Sequence, residues 1–202
     1  MADVKFDSRK KSIGFNFREL YDYRDLFIIL AYRDLRVRYA QTFLGLFWAF
    51  LQPAATLLIF ILIFGKAVKV DTGNIPYPLF ALTGMSAWAY FSFVLSQSGQ
   101  SIIGAQEMVK KIYFPRFVIP LSKSLVAFVD FTIAIIFVTI LLLIYRYPLT
   151  SNIVWFHVFF MINVIAALAV GIWLSALTIR YRVFIHVILF LVQFGIYATT
   201  VG

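Results

Sequence analysis

Five long apolar runs divide this chain, and the turns between them alternate between basic and nearly uncharged. A bilayer core about 30 Å thick needs roughly 20 apolar helical residues. Residues 43–65, 79–102, 117–145, 153–179 and 184–202 each meet that requirement. Pro53 lies inside the first run, where neighbouring helices tolerate it as a kink. The second run ends in Ser96-Gln97-Ser98-Gly99-Gln100-Ser101, too polar a stretch to face lipid. The pattern predicts an all-α polytopic membrane protein, with residues 1–202 forming one transmembrane domain of five visible spans.

Composition agrees with the pattern. Hydrophobic residues make up 62% of the 202 and charged residues 13%, against about 45–50% and 25% in soluble domains. The net charge of +9 belongs to the loops of a membrane protein rather than to nucleic-acid binding. With no cysteine, disulfides, thiol catalysis and thiolate metal sites are excluded.

Basic residues set the orientation. Residues 1–42 hold nine Lys or Arg; the turn at 103–116 adds Lys110, Lys111 and Arg116, and the turn at 180–183 adds Arg180 and Arg182. The alternate loops carry only Lys66, Lys69 and Arg146. The positive-inside rule therefore places the N-terminus and both basic turns in the cytoplasm. No cleavable signal peptide is visible, so insertion relies on the first span. The fifth span would end outside with no flanking anchor, and the odd span count points to a piece of a longer protein.

Residues 1–17 read as a cytoplasmic tail, and 18–39 as an amphipathic helix. On a helix, Leu20, Tyr23, Leu26, Phe27, Leu30 and Val37 share one side, with Asp22, Asp25, Arg33 and Arg36 opposite and Ile29 as an exception. Such a helix suits the membrane interface ahead of the first span. It serves either as a lipid anchor or as a docking surface for a cytoplasmic partner.

The segment "IGAQEMVKKIYFPR" at 103–116 is a stiff corner. Gly104 permits a break, and Ala105 to Tyr113 can form a short helix. Glu107 sits near its N-terminal end and Lys110 and Lys111 near its C-terminal end, as the helix dipole favours. Pro115 keeps Phe114 from continuing as regular helix, and Pro120 restrains the start of the next span. A rigid corner transmits a push that a floppy loop would absorb, although an ordinary positive-inside turn has a similar composition.

No catalytic constellation appears. Gly65-Lys66 lacks the upstream glycine of a phosphate loop, and His157 and His186 have no companion ligands, so neither a nucleotide site nor a metal site is expected. Asp130 is the notable ionisable group within a span; Lys123 precedes it by seven residues, about 10 Å along a helix, too far for direct pairing. A carboxylate at that depth should face the bundle or an aqueous path. Phe43, Phe47 and Phe50 in the first span, and Phe190, Phe194 and Tyr197 in the fifth, recur at helical spacing. Such stripes suit either helix packing or the sliding of sugar rings.

"RDLRVRYAQTFLGLFWAFLQPAATLLIFILIFG" (33–65), followed by "VKKIYFPRFVIPLSK" (109–123), resembles the membrane subunit of type-2 ABC exporters. The nearest likeness is to polysaccharide-export permeases, which move O-antigen, capsule or teichoic-acid chains on lipid carriers. The resemblance implies a homodimer in the bacterial inner membrane, contacted by lipids and resting on a separate ATPase dimer that binds ATP and magnesium. The chain itself would bind no cofactor and no nucleic acid. The resemblance makes Gln106, Glu107, Met108, Val109, Lys110 and Lys111 the coupling helix. It gives the 18–39 helix, through Arg33, Asp34, Arg36 and Arg38, a second contact with the ATPase or the headgroups. It places the first and fifth spans, with their stripes, at the path of a lipid-linked glycan. Two departures stand out: the family's sixth span is absent, and Val183 occupies the place of a common acidic residue. An exporter of drug-like or lipid molecules, and a non-transporting scaffold, remain the alternatives.

Overall fold

The structure is a computed structural model that describes residues 21–39, 45–68, 73, 75–112, 114–148 and 153–200. Leu20, Phe43 and Tyr113, and the tail at 1–17, lie outside the described residues. Among the described residues, seven α-helices follow in chain order: α1 (Arg24–Tyr39), α2 (Gly45–Phe60), α3 (Tyr77–Gly104), α4 (Gln106–Lys111), α5 (Val118–Ile144), α6 (Ile153–Arg180) and α7 (Phe184–Thr200). There is no strand among the described residues. Helix α2 continues as a π-helical segment, Ile61–Val68. Three helices, over Tyr77–Gly104, Val118–Ile144 and Val154–Arg180, are long and apolar enough to cross a membrane by themselves. The apolar parts of α2 and α7, Ala49–Ile63 and Phe184–Gly195, are shorter.

The least hydrophobic span is the central one. Helix α3 packs most extensively on α6 and α5, then on α7 and α2. Ser86, Ser98 and Ser101 are buried rather than turned to lipid: Ser98 donates from Oγ to the Pro120 carbonyl of α5 at 3.0 Å, and Ser101 to the Ser98 carbonyl at 2.7 Å. Tyr90 and Ser124 share a hydroxyl hydrogen bond of 2.8 Å between α3 and α5, and Asn163 of α6 donates from Nδ2 to the Ala87 carbonyl at 3.0 Å. Where lipid offers no hydrogen-bonding alternative, such inter-helix bonds and small residues hold a bundle together.

Apolar packing falls into layers. Leu57 and Phe60 of α2 meet Leu79, Leu82 and Met85 of α3 and Val138 of α5 at one end. In the middle, Tyr90 and Val94 pack on Phe131 and Phe160, whose rings stack at 3.8 Å and 6°. Towards the other end, Leu95, Leu174 and Ile188 join α3, α6 and α7. The 105–117 and 181–183 turns therefore lie at the same end of the bundle.

Helix α5 stops by a left-handed residue. Arg146 has φ 50°, its N–H bonds to the Leu143 carbonyl at 3.2 Å, and the Tyr147 N–H bonds to the Leu142 carbonyl at 3.1 Å. This is the Schellman pairing, with arginine where glycine is usual. Arg146→Gly is expected to raise resistance to unfolding by up to about 1 kcal/mol, read by denaturant titration in detergent.

Candidate functional site: a basic elbow and an intramembrane cavity

Helix α4 is separated from α3 by Ala105 alone. Ile112 ends it in extended conformation (φ −130°, ψ 133°), and buried Phe114 precedes Pro115. The six residues have two faces. Met108 and Val109 pack inward with Ala105, while Gln106, Glu107, Lys110 and Lys111 are exposed. Lys110 Nζ lies 3.3 Å from Glu107 Oε1, but both side chains are largely exposed. Such a pair contributes about 0.5 kcal/mol or less, so the fold does not depend on it.

The inward face joins an apolar cluster shared by α1 and the start of α5. Tyr23, Leu26, Phe27 and Leu30 form one apolar cluster with Ala105, Met108, Val109, Phe114, Val118 and Ile119. Four of the six residues expected on the inner side of α1 are thus packed; Val37 is instead 56% exposed. Ile28, Ile29 and Tyr32 are also exposed, leaving the outer face of α1 more apolar than its charge pattern suggests.

Two ion pairs carry α1 up along α5. Asp34 Oδ2 meets Lys123 Nζ at 2.5 Å with both side chains mostly buried. Arg38 reaches Asp130 Oδ2 at 2.8 Å, and the Tyr39 hydroxyl donates to the other oxygen of the same carboxylate. The contacts run from Val118, through Lys123, to Asp130, twelve residues or about 18 Å along α5. Helix α1 therefore rises beside the first half of α5 instead of lying flat beneath the bundle. Lys123 and Asp130 do not pair with each other; each takes its partner from α1. Of the four α1 residues singled out from the sequence, Asp34 and Arg38 pair with residues of α5, and Arg33, Arg36 and Arg38 are all exposed.

Arg38, Tyr39 and Asp130 stand in the wall of a cavity of about 760 Å³. Ala49, Gln52, Pro53 and Thr56 line it from α2, Leu82 through Gln97 from α3, Ala127 through Ala134 from α5, and Val192 and Gln193 from α7. Pro53 has no N–H, so the Ala49 carbonyl loses its helical donor beside the cavity. The Arg38 guanidinium also lies over the Phe93 ring, 4.6 Å from its centroid. In hydrocarbon an unpaired polar group costs several kcal/mol. The concentration of Ser86, Ser92, Ser96, Gln52, Gln97 and Gln193 on this one space marks it as wet.

The aromatic stripes lie elsewhere. Phe47 and Phe50 of α2 are 60% and 37% exposed, and Phe190 and Phe194 of α7 are 61% and 66% exposed, stacked 5.6 Å apart. They occupy outward faces of the same helices that line the cavity. The backbone of Tyr197 continues α7, and its side chain lies outside the described residues.

Gln52 and Gln193 were not singled out by sequence reasoning, and Gln97 was noted only as part of the polar stretch Ser96 to Ser101. Each is an uncharged polar residue within an apolar run, which is the signal that could have found them.

Residues 25–201 match the family model of the ABC-2 type transporter. Among curated proteins, the O-antigen export system permease protein RfbA of Myxococcus xanthus is 30% identical over 184 residues, covering 91% of this chain and 70% of that protein. RfbA of Klebsiella pneumoniae is 31% identical over 131 residues, 65% of this chain and 50% of that protein. The polysialic acid transport protein KpsM of Escherichia coli is 32% identical over 111 residues, 55% of this chain and 42% of that protein. The chain thus spans about half or less of the last two relatives and 70% of the first. With a family match over nearly its whole length, a helical bundle of membrane-crossing dimensions and a basic elbow at one end, the chain belongs to the ABC-2 type transporter membrane family.

Proposed function

We propose that this chain is the permease subunit of an ATP-driven exporter that passes a lipid-linked polysaccharide outward across the bacterial inner membrane. Two copies form the membrane part, and a separate ATPase dimer holds ATP and its magnesium. The basic end of the bundle faces the cytoplasm, as the positive-inside rule requires.

The observation that carries this assignment is the two-faced α4. Its outward side chains, Gln106, Glu107, Lys110 and Lys111, are available to a partner, while Met108 and Val109 tie it to α1 and the start of α5. A push on α4 therefore moves α1 and the base of α5 together with α3. The relatives named for O-antigen export and polysialic acid transport support the substrate class. The exposed stripes on α2 and α7 fit a path between two copies, with Phe47, Phe50, Phe190 and Phe194 offered to sugar rings.

Glu107→Ala, Lys110→Ala and Lys111→Ala combined should leave insertion and folding intact, because these side chains are exposed and their one ion pair is weak. Co-purified ATPase should then hydrolyse ATP without delivering glycan to the cell surface, a loss of about tenfold or more in export. Undiminished export would remove α4 from the coupling role.

A further inference from the structure

Gln52 on α2, Gln97 on α3 and Gln193 on α7 all line the cavity, are exposed rather than packed away, and make no side-chain hydrogen bond among the described residues. They come from three different helices, and within one chain they converge on one space. Trp88 lines the same space. A Cβ on Gly195 would overlap its indole, so the ring is held directly against the backbone of α7.

We propose that this cavity is a binding site for neutral sugar rings within each single chain, distinct from the aromatic stripes on its outer surface. The identity of the sugar as part of the exported glycan rests on the exporter reading; the site itself does not. A carboxamide offers both a donor and an acceptor, as a sugar hydroxyl does, and adds no charge. The Trp88 indole provides a flat apolar surface for the C–H face of a pyranose. A volume near 760 Å³ falls within the roughly 300–1,000 Å³ of small-molecule pockets and admits short oligosaccharides.

Two other ligand chemistries fit less well. An anion would want an unneutralised cation, yet Arg38 is already paired with Asp130 and lies over the Phe93 ring. An isoprenoid or acyl chain would displace water from three amides and give them no partner, which is unfavourable.

The test uses the full chain in lipid nanodiscs with Trp48→Phe, Trp155→Phe and Trp173→Phe, leaving Trp88 as the sole tryptophan. Neutral trisaccharides of glucose, galactose, mannose and N-acetylglucosamine, a galacturonate trimer and a short polyprenol are titrated in turn. At least one neutral trisaccharide should change Trp88 emission saturably. Gln52→Leu, Gln97→Leu and Gln193→Leu combined should weaken that binding by about tenfold or more. Each single variant, read alone, should weaken it less, so a triple variant that fails to insert leaves the test intact. A saturable response to the polyprenol or galacturonate alone, no saturable response to any neutral sugar, or unchanged affinity in the glutamine variants would overturn the site. Glycan export by cells in which no neutral sugar binds removes the pocket but keeps the exporter. Sugar binding without export by the complete assembly does the reverse.

Discussion

Asp34→Ala destabilises the bundle by about 3–5 kcal/mol, the cost of leaving one member of a buried ion pair without its counter-charge. Lys123 is the member left behind. Its side chain is 16% exposed and its ammonium lies against Asp34 Oδ2, with apolar packing below it at Val118 and Ile119. Restoring the pair by exchange, Asp34→Lys with Lys123→Asp, should recover only part of the loss. Arg33 Nη2 sits 3.0 Å from Asp34 Oδ1 and would then face a second cation. Replacing both by apolar residues, Asp34→Leu with Lys123→Met, should recover more, since no buried charge remains. Thermal unfolding in detergent orders the three variants. Equal loss in the single and the double apolar variant would show that the pair does not hold α1 to α5.

The second large effect is at Arg38. Arg38→Leu leaves the Asp130 carboxylate facing the cavity with only the Tyr39 hydroxyl. A charge at this depth requires a partner, and the expected cost is about 2–3 kcal/mol, less than at Asp34 because the cavity admits water. Arg38→Lys should fall between wild type and leucine. It keeps the charge but loses the planar guanidinium that meets the carboxylate while stacking on Phe93. With Asp130→Asn as the other arm, a double-mutant cycle should return a coupling of about 1.5–3 kcal/mol. A coupling near zero would mean that Arg38 and Asp130 are neighbours without consequence. Because the same pair closes the cavity wall, export should fall in the same order as stability.

These two sites show what a sequence of this kind discloses. Lys123 and Asp130 were conspicuous as charges in an apolar run, and the expectation that Asp130 faces the bundle or an aqueous path describes where it sits. Their partners were not legible, because Asp34 and Tyr39 lie 89 and 91 residues away along the chain. Periodicity on α1 identified Tyr23, Leu26, Phe27 and Leu30 as an inner face. It did not say that this face would pack on α4 and climb α5, because Ile28, Ile29 and Tyr32 make the opposite face nearly as apolar. The run Ser96 to Ser101 was recognised as unfit for lipid, which anticipates the burial of Ser98, Gly99 and Ser101, although not the Ser98 bond to Pro120. Gln52 and Gln193 each looked like a minor blemish in its own span, and Gln97 was one part of that polar run. Only the helix arrangement brings them to a common space. The π-helical turn at Ile61–Val68 had no sequence signal beyond Gly65, whose missing side chain lets the Tyr77 ring approach.

The elbow was the most legible feature, because its stiffness follows from local chemistry. Gly104, Pro115 and Pro120 bound it, and the charges on α4 are ordered as the helix dipole favours. Tertiary structure added the inner attachment. Met108 and Val109 pack into a cluster that holds Leu30 of α1 with Phe114, Val118 and Ile119, and α1 continues from there to the ion pairs of Asp34 and Arg38.

Site-specific photocrosslinking from position 107 or 111, in cells making the complete assembly, tests the proposed coupling most directly. A photoreactive residue at either position should crosslink to the ATPase subunit, and the yield should change when ATP hydrolysis is blocked. Crosslinks to lipid alone, or none to any protein, would contradict it.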